Sequence, residues 1–281
     1  MPEAGLSDMK DTLFSIKREK QARNARGPEI FDAASKAFRN GVAGRLKARD
    51  LLAAGVIPAG PAPVTLDSPF LIWAFRNGGP ANIHSDTHIE PLNSWARFMS
   101  QWKQGGSFLG HDEVDFFFLW QNDTGSDAVV DVESQLMLAG RSSVFADSGL
   151  VWSPFWGQGT IGNSRLRIES ELTLLEWWNQ PPTQPLQQPG QQHEVVDMSA
   201  DGGWILLGSG NGDSLWLSGS HHGHYDMFLV PAGAVAVFEV SLNMYYSGFK
   251  GEGSVDFQTA NESLSCPYVQ LTVPTLPLGR T

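Results

Sequence analysis

Cysteine is all but missing. Cys266 stands alone, so the chain can close no internal disulfide and offers no set of thiolates to a zinc ion. A single thiol of this kind reads as a small buried hydrophobe beside a strand. No apolar run approaches the ~18 residues that cross a bilayer, so no transmembrane helix is expected. The opening stretch MPEAGLSDMKDTLF lacks the charged-then-apolar pattern of a secretory leader. A soluble chain is therefore expected, with its compartment left open. Charged residues are scarce, at 17% against the ~25% usual in globular domains. No phosphate loop is present: GSGNGDS (208–214) is followed by neither Lys nor a helical pattern, and reads as a hairpin turn. No GxSxG elbow marks a nucleophilic serine.

What the chain does have is thirty glycines, seventeen prolines and ten tryptophans in 281 residues. That composition suits many turns and short strands. Charge is split unevenly. Residues 1–50 hold eleven Lys/Arg against seven Asp/Glu, and the rest of the chain eight against twenty-three. A basic arm on an acidic body suits docking of the arm on a neighbouring body or on a polyanion. The body itself is a poor match for nucleic acid, which needs clustered cations, so contact with nucleic acid is expected only through the arm.

The first segment reads helical, with Ser7 as a cap and Met9, Leu13 and Ile16 on one face. Past Ile16 the stretch KREKQARNAR has almost no apolar stripe, and that end is expected to be solvated or used for contact. A second amphipathic helix follows Pro28, through Ile30, Phe31, Ala34, Ala37 and Phe38. Such helices cannot make a core alone, so their apolar faces need the body, another subunit or a membrane surface. The organisation expected is a helical, basic arm over 1–57, a Pro-rich linker over 58–69 carrying Pro58, Pro61, Pro63 and Pro69, and a β domain over 70–281.

In the β region the alternation is clear. AVVDVESQLML (128–138) puts Val130, Val132, Ser134, Leu136 and Leu138 on one face. RLRIESELTLL points Leu166, Ile168, Ser170, Leu172 and Leu174 one way and Arg167, Glu169, Glu171 and Thr173 to water. A second long strand buries Ala236, Phe238, Val240, Leu242 and Met244, and YVQLTV (268–273) supplies the last through Val269, Leu271 and Val273. The fold class expected is mainly β, an antiparallel sandwich of jelly-roll or immunoglobulin-like type, preceded by the short helical arm.

FLVPAGAVAVFEVSL resembles the strand-turn-strand passage of bacterial immunoglobulin-like and fibronectin-like sandwiches. HIEPLNSWARF (88–98) and LLEWWNQPPTQPLQQPGQ (174–191) look like segments of a poorly characterised bacterial group of β-rich proteins, over roughly residues 68–273. That group has no established activity, so the resemblance implies a β fold and no site residues.

Three features carry candidate chemistry. In IHSDTHIE (83–90), His84, Asp86, His88 and Glu90 alternate. On a strand they span about 20 Å, so at most two adjacent positions serve one divalent metal. The other half would come from SHHGHYD, where His221, His222, His224 and Asp226 cluster; the metal set is then His84, His88, His222 and His224. GHDEVD adds His111, Asp112 and Glu113. The plainer account is a polar strand face, without a cofactor. Among the tryptophans, Trp152 and Trp156 in LVWSPFWGQG and Trp178 in EWWNQ are the exposed candidates for stacking on a glycan or meeting a partner. The Pro/Gln-rich stretch 179–192 reads as an extended connection, either an interaction arm or an exposed loop.

The function these features favour is non-enzymatic binding or self-assembly, as a homo-oligomer or with a protein partner. A carbohydrate-binding module, a virion or shell subunit and a metal-dependent hydrolase are the alternatives.

Overall fold

A computed structural model describes residues 3–24, 63–76, 84–90, 93–147, 149–150, 161–177, 186–202, 204–205 and 211–272. One helix, α1 (Glu3–Asn24), precedes β1 (Val64–Leu66), β2 (Leu71–Arg76), β3 (His84–Glu90), β4 (Trp95–Gln121), β5 (Ala128–Ala146), β6 (Gly149–Leu150), β7 (Asn163–Trp177), β8 (Leu186–Asp201), β9 (Trp204–Ile205), β10 (Asn211–Val230), β11 (Val235–Asp256) and β12 (Ser263–Thr272). The protein is mainly β and its main sheet is antiparallel, as the alternating segments imply. No helix among the described residues is long and apolar enough to cross a membrane.

The main sheet runs β10-β5-β12-β4-β11-β7-β8, with β1 on β12 and both β2 and β3 on β4. It does not divide into the two separate sheets of the expected sandwich. An additional pairing of Gly251–Asp256 with residues 141–146 joins β11 to β5, so β5, β12, β4 and β11 close into a barrel-like ring. The cause is two very long bent strands, β4 of 27 residues and β11 of 22. At their bend Phe249 pairs with Ser107 and Gly251 with Gln104, leaving Gly105 and Gly106 opposite Lys250 alone. This bulge, with Lys250 at a φ of 47°, bends the pair.

The faces read from alternation hold. Val130 to Leu138 of β5, Leu166 to Leu174 of β7, Ala236 to Met244 of β11 and Val269 and Leu271 of β12 all line one core. Asn122 ties two turns together: its Nδ2 donates to the Ser126 and Val230 carbonyls, both at 2.8 Å, and the Gly233 amide donates to its carbonyl.

Several expectations are corrected. α1 begins ahead of Ser7, which lies within the helix. The opposite face of β7 is not wet throughout, because Glu171, Thr173 and Leu175 are buried. Leu175 shares a second apolar cluster with Met9 and Leu13 of α1 and with Phe117, Val235 and Val237. The helix thus packs on its own body. Val64–Leu66, inside the stretch read as linker, is strand β1. Residues 186–192 of the Pro/Gln-rich stretch belong to β8, an edge strand in which Pro189 lies opposite Thr173 beside a register shift. Residues 211–214 begin β10 and are not a turn. The second helix and Val273 lie outside the described residues.

Candidate functional site

Past the bulge, four strand segments lie side by side: 99–104 of β4, 251–256 of β11, 141–146 of β5 and 211–216 of β10. Their registers align three rows of side chains across the strands. The middle row is Gln101, Ser254, Ser143 and Ser214. One flanking row is Lys103, Glu252, Phe145 and Gly212, and the other is Met99, Asp256, Arg141 and Trp216. Three short hydroxyl side chains in line make a trough running across the strands. A cavity of about 640 Å³ is lined by the middle row and the Lys103 row, with Asp213 beside them, and the row that carries Trp216 lies outside its lining. Below it Trp102 is buried and stacks on Tyr246 with ring centroids 4.6 Å apart.

Charge along the trough is largely compensated. Lys103 Nζ lies 2.7 Å from Glu252 Oε2, and hydrogen bonding to Glu252 raises the lysine pKa. Arg141 Nε donates to Glu262 Oε1 at 2.8 Å while its guanidinium lies 4.8 Å from the centre of the Trp216 ring. Ser143 Oγ and Ser254 Oγ share a hydrogen bond of 2.9 Å. Trp216 is 64% exposed, an unusual cost for an indole unless something covers it.

The second constellation is buried. Lys17 of α1 reaches Glu113 Oε1 at 2.7 Å, Asp115 Oδ1 at 3.0 Å and Glu239 Oε1, which also accepts from Ser241 Oγ at 2.9 Å. Glu113 and Asp115 are two apart on β4, and Glu239 lies on the neighbouring β11, so alternation turns all three to the face that α1 covers. Of the stretch past Ile16, expected to be solvated or used for contact, Lys17 makes contact while Arg18 and Glu19 are exposed. The three carboxylates are the one set of three or more metal-capable side chains that converges among the described residues. The Lys17 ammonium occupies their centre. His111 Nε2 lies 3.1 Å from Asn243 Oδ1 on the same face, with its ring stacked on Tyr245. Asp112, of opposite parity, faces inward and accepts from Ser100 Oγ at 2.6 Å.

The expected site residues are placed as follows. Trp152, Trp156 and Trp178 lie outside the described residues. In β3 the backbone register sets His84 opposite Gln101 and His88 opposite Arg97. In β10, His222 lies opposite Gln135 and His224 opposite Glu133. No strand pairing joins β3 to β10. His222 Nδ1 is 3.3 Å from Glu133 Oε1, and His224 Nε2 meets Asp226 Oδ1. His221 senses His193 of β8 and His222, and burial followed by those two rings lowers its pKa.

Sequence reasoning missed the trough, and of the Lys17 cluster it singled out only Glu113, within GHDEVD. Glu239 inside VFEV and the Glu113/Asp115 pair ahead of FFF were the available signals, since charges in strands buried on both faces need a partner.

No protein-family model matches the chain, and no curated protein matches it by sequence. Some solved structures are distantly similar. TmCBM27, a carbohydrate-binding module studied for specific mannan recognition, shares 13% identity over 76% of this chain and 97% of its own, with a TM-score of 0.26. TmCBM61, solved in complex with β-1,4-galactotriose, shares 6% over 71% and 90%, with a TM-score of 0.19. The enzymatically active domain of tailspike protein 4 from Bacteriophage CBA120 shares 7% over 72% and 19%, also with a TM-score of 0.19. At these scores the likenesses carry no inference about this chain.

Proposed function

We propose that the chain binds an extended, uncharged carbohydrate in the trough across β4, β11, β5 and β10, and that it acts by binding and not by catalysis. The observation that carries this reading is the row Gln101, Ser254, Ser143 and Ser214, with Trp216 exposed on the adjoining row. Hydroxyls and a carboxamide both donate and accept, which suits a ligand presenting many hydroxyls of either role. A flat indole covers apolar C–H faces at little conformational cost. Lys103 and Arg141 are each held by a carboxylate, Glu252 and Glu262, so the trough offers no unpaired cation of theirs to an acidic glycan.

Binding to a panel of neutral polysaccharides, by affinity electrophoresis and glycan array, tests the reading. At least one neutral glycan is expected to bind. Trp216→Ala is expected to weaken it by about tenfold or more, as loss of a central aromatic contact does. Both Trp216 and Gln101 are exposed, so Trp216→Ala and Gln101→Ala leave the core untouched. Silence across the panel, or binding indifferent to both substitutions, removes the proposal.

A further inference from the structure

The face under α1 is shaped for one kind of helix. It is apolar beneath Met9 and Leu13, and it presents Glu113, Asp115 and Glu239 where Lys17 arrives one helical turn further on. These contacts specify a helix, not the copy of the chain it belongs to. Thirty-nine residues lie between Asn24 at the end of α1 and Val64 at the start of β1. Such a length spans about 58 Å as continuous helix and about 130 Å fully extended. Both bounds exceed the radius of gyration of roughly 19 Å that compaction gives a chain of this size.

We propose that α1 exchanges between copies: the helix of one chain seats Lys17 among the Glu113, Asp115 and Glu239 carboxylates of a second chain, and reciprocally, forming a closed two-fold dimer. Exchange keeps every contact of the internal arrangement, so concentration sets the balance between the two. A short connection holds its own helix at an effective concentration on the order of millimolar, and that value falls with roughly the −3/2 power of length. At thirty-nine residues that value is still on the order of millimolar, so a second copy competes as the protein concentration approaches it. The charge split favours the encounter, because the basic first fifty residues of one chain meet the acidic body of another.

Complementation tests this directly. Lys17→Glu spoils the helix but leaves the receiving face intact, and Glu239→Lys spoils the face but leaves the helix intact. Each full-length variant alone is expected to be monomeric, and an equimolar mixture is expected to give a one-to-one heterodimer by native mass spectrometry. A mixture that stays monomeric while circular dichroism shows both variants folded overturns the proposal. Where a variant does not fold, the wild-type chain decides. Sedimentation velocity is expected to show dimer rising from micromolar to millimolar concentration. Carbodiimide coupling of mixed ¹⁴N and ¹⁵N chains is expected to yield Lys17–Glu113 links of mixed isotope. A chain that remains monomeric throughout, or a dimer without mixed-isotope links, overturns exchange and leaves α1 an internal strap.

Discussion

The Lys17 ammonium lies 2.7 Å from the Glu113 carboxylate, and the two side chains are 2% and 0% exposed. Taking both ions out of water costs several kcal/mol each, and their attraction offsets this only where further partners are present. Asp115 and Glu239 supply them. The cluster therefore contributes less to net stability than to deciding where α1 can sit. A helix shifted by one residue leaves the carboxylates facing an apolar or wrongly aimed side chain.

Lys17→Met is consequently expected to destabilise the protein by about 3–5 kcal/mol, the usual cost of leaving buried charge without its partner. Leu13→Ala, which deletes fully buried apolar atoms from the same helix face, is expected to cost about 2–5 kcal/mol. Urea midpoints measure both. A change below about 1 kcal/mol for Lys17→Met, the scale of an exposed ion pair, shows that α1 does not hold this position in solution.

Local alternation was legible because it needs only neighbours in sequence: Leu166 to Leu174 and Ala236 to Met244 declare their buried faces residue by residue. So was the Met9–Leu13–Ile16 stripe. Lys17 was not, because its partners lie 96 to 222 residues away and only strand register brings them together. The trough is hidden for the same reason. Gln101, Ser143, Ser214 and Ser254 are unremarkable singly, and become a row through three strand pairings. Barrel-like closure depends on the Gly105–Gly106 bulge against Lys250, and a glycine pair in sequence does not reveal whether the chain turns back or bends and continues.

Gly110 illustrates how tightly the floor under the trough is built. A Cβ at this position would fall 2.1 Å from the Tyr246 ring, which is itself stacked on Trp102. Gly110→Ala is expected to push the stacked pair aside and to cost about 1–3 kcal/mol, the range for overpacking a filled core. Denaturant midpoints report the loss, and a shift in Trp102 fluorescence reports the displaced ring. Gly105→Ala, where nothing lies within 4 Å of the added atom, serves as the benign comparison.

Cys266 is fully buried, and burial pushes its thiol pKa well above the ordinary value of 9.0. Reaction requires the thiolate, so the native thiol is expected to be inert to a disulfide reagent at pH 8 and to titrate as one thiol per chain after denaturation. Rapid stoichiometric reaction of the folded protein contradicts this placement of β12 against the core.

His221 makes stability depend on pH with a definite sign. It borders a tight gap together with Ser134, Ser170, Leu172 and Gln191, and it senses His193 and His222. Burial, then those two rings, holds its pKa in the folded state below the ordinary 6.5. Between the folded value and 6.5 the unfolded chain binds more protons than the folded one, so stability rises with pH across that window. Stability is expected to be level above about pH 6.5 on this account, and to decline as pH falls below it. His221→Asn removes the titrating group and is expected to flatten that portion of the profile between pH 7.5 and 5.5, measured as urea midpoints at fixed ionic strength. An unchanged slope in the variant assigns the acid sensitivity to other groups and contradicts the placement of His221 beside His193 and His222.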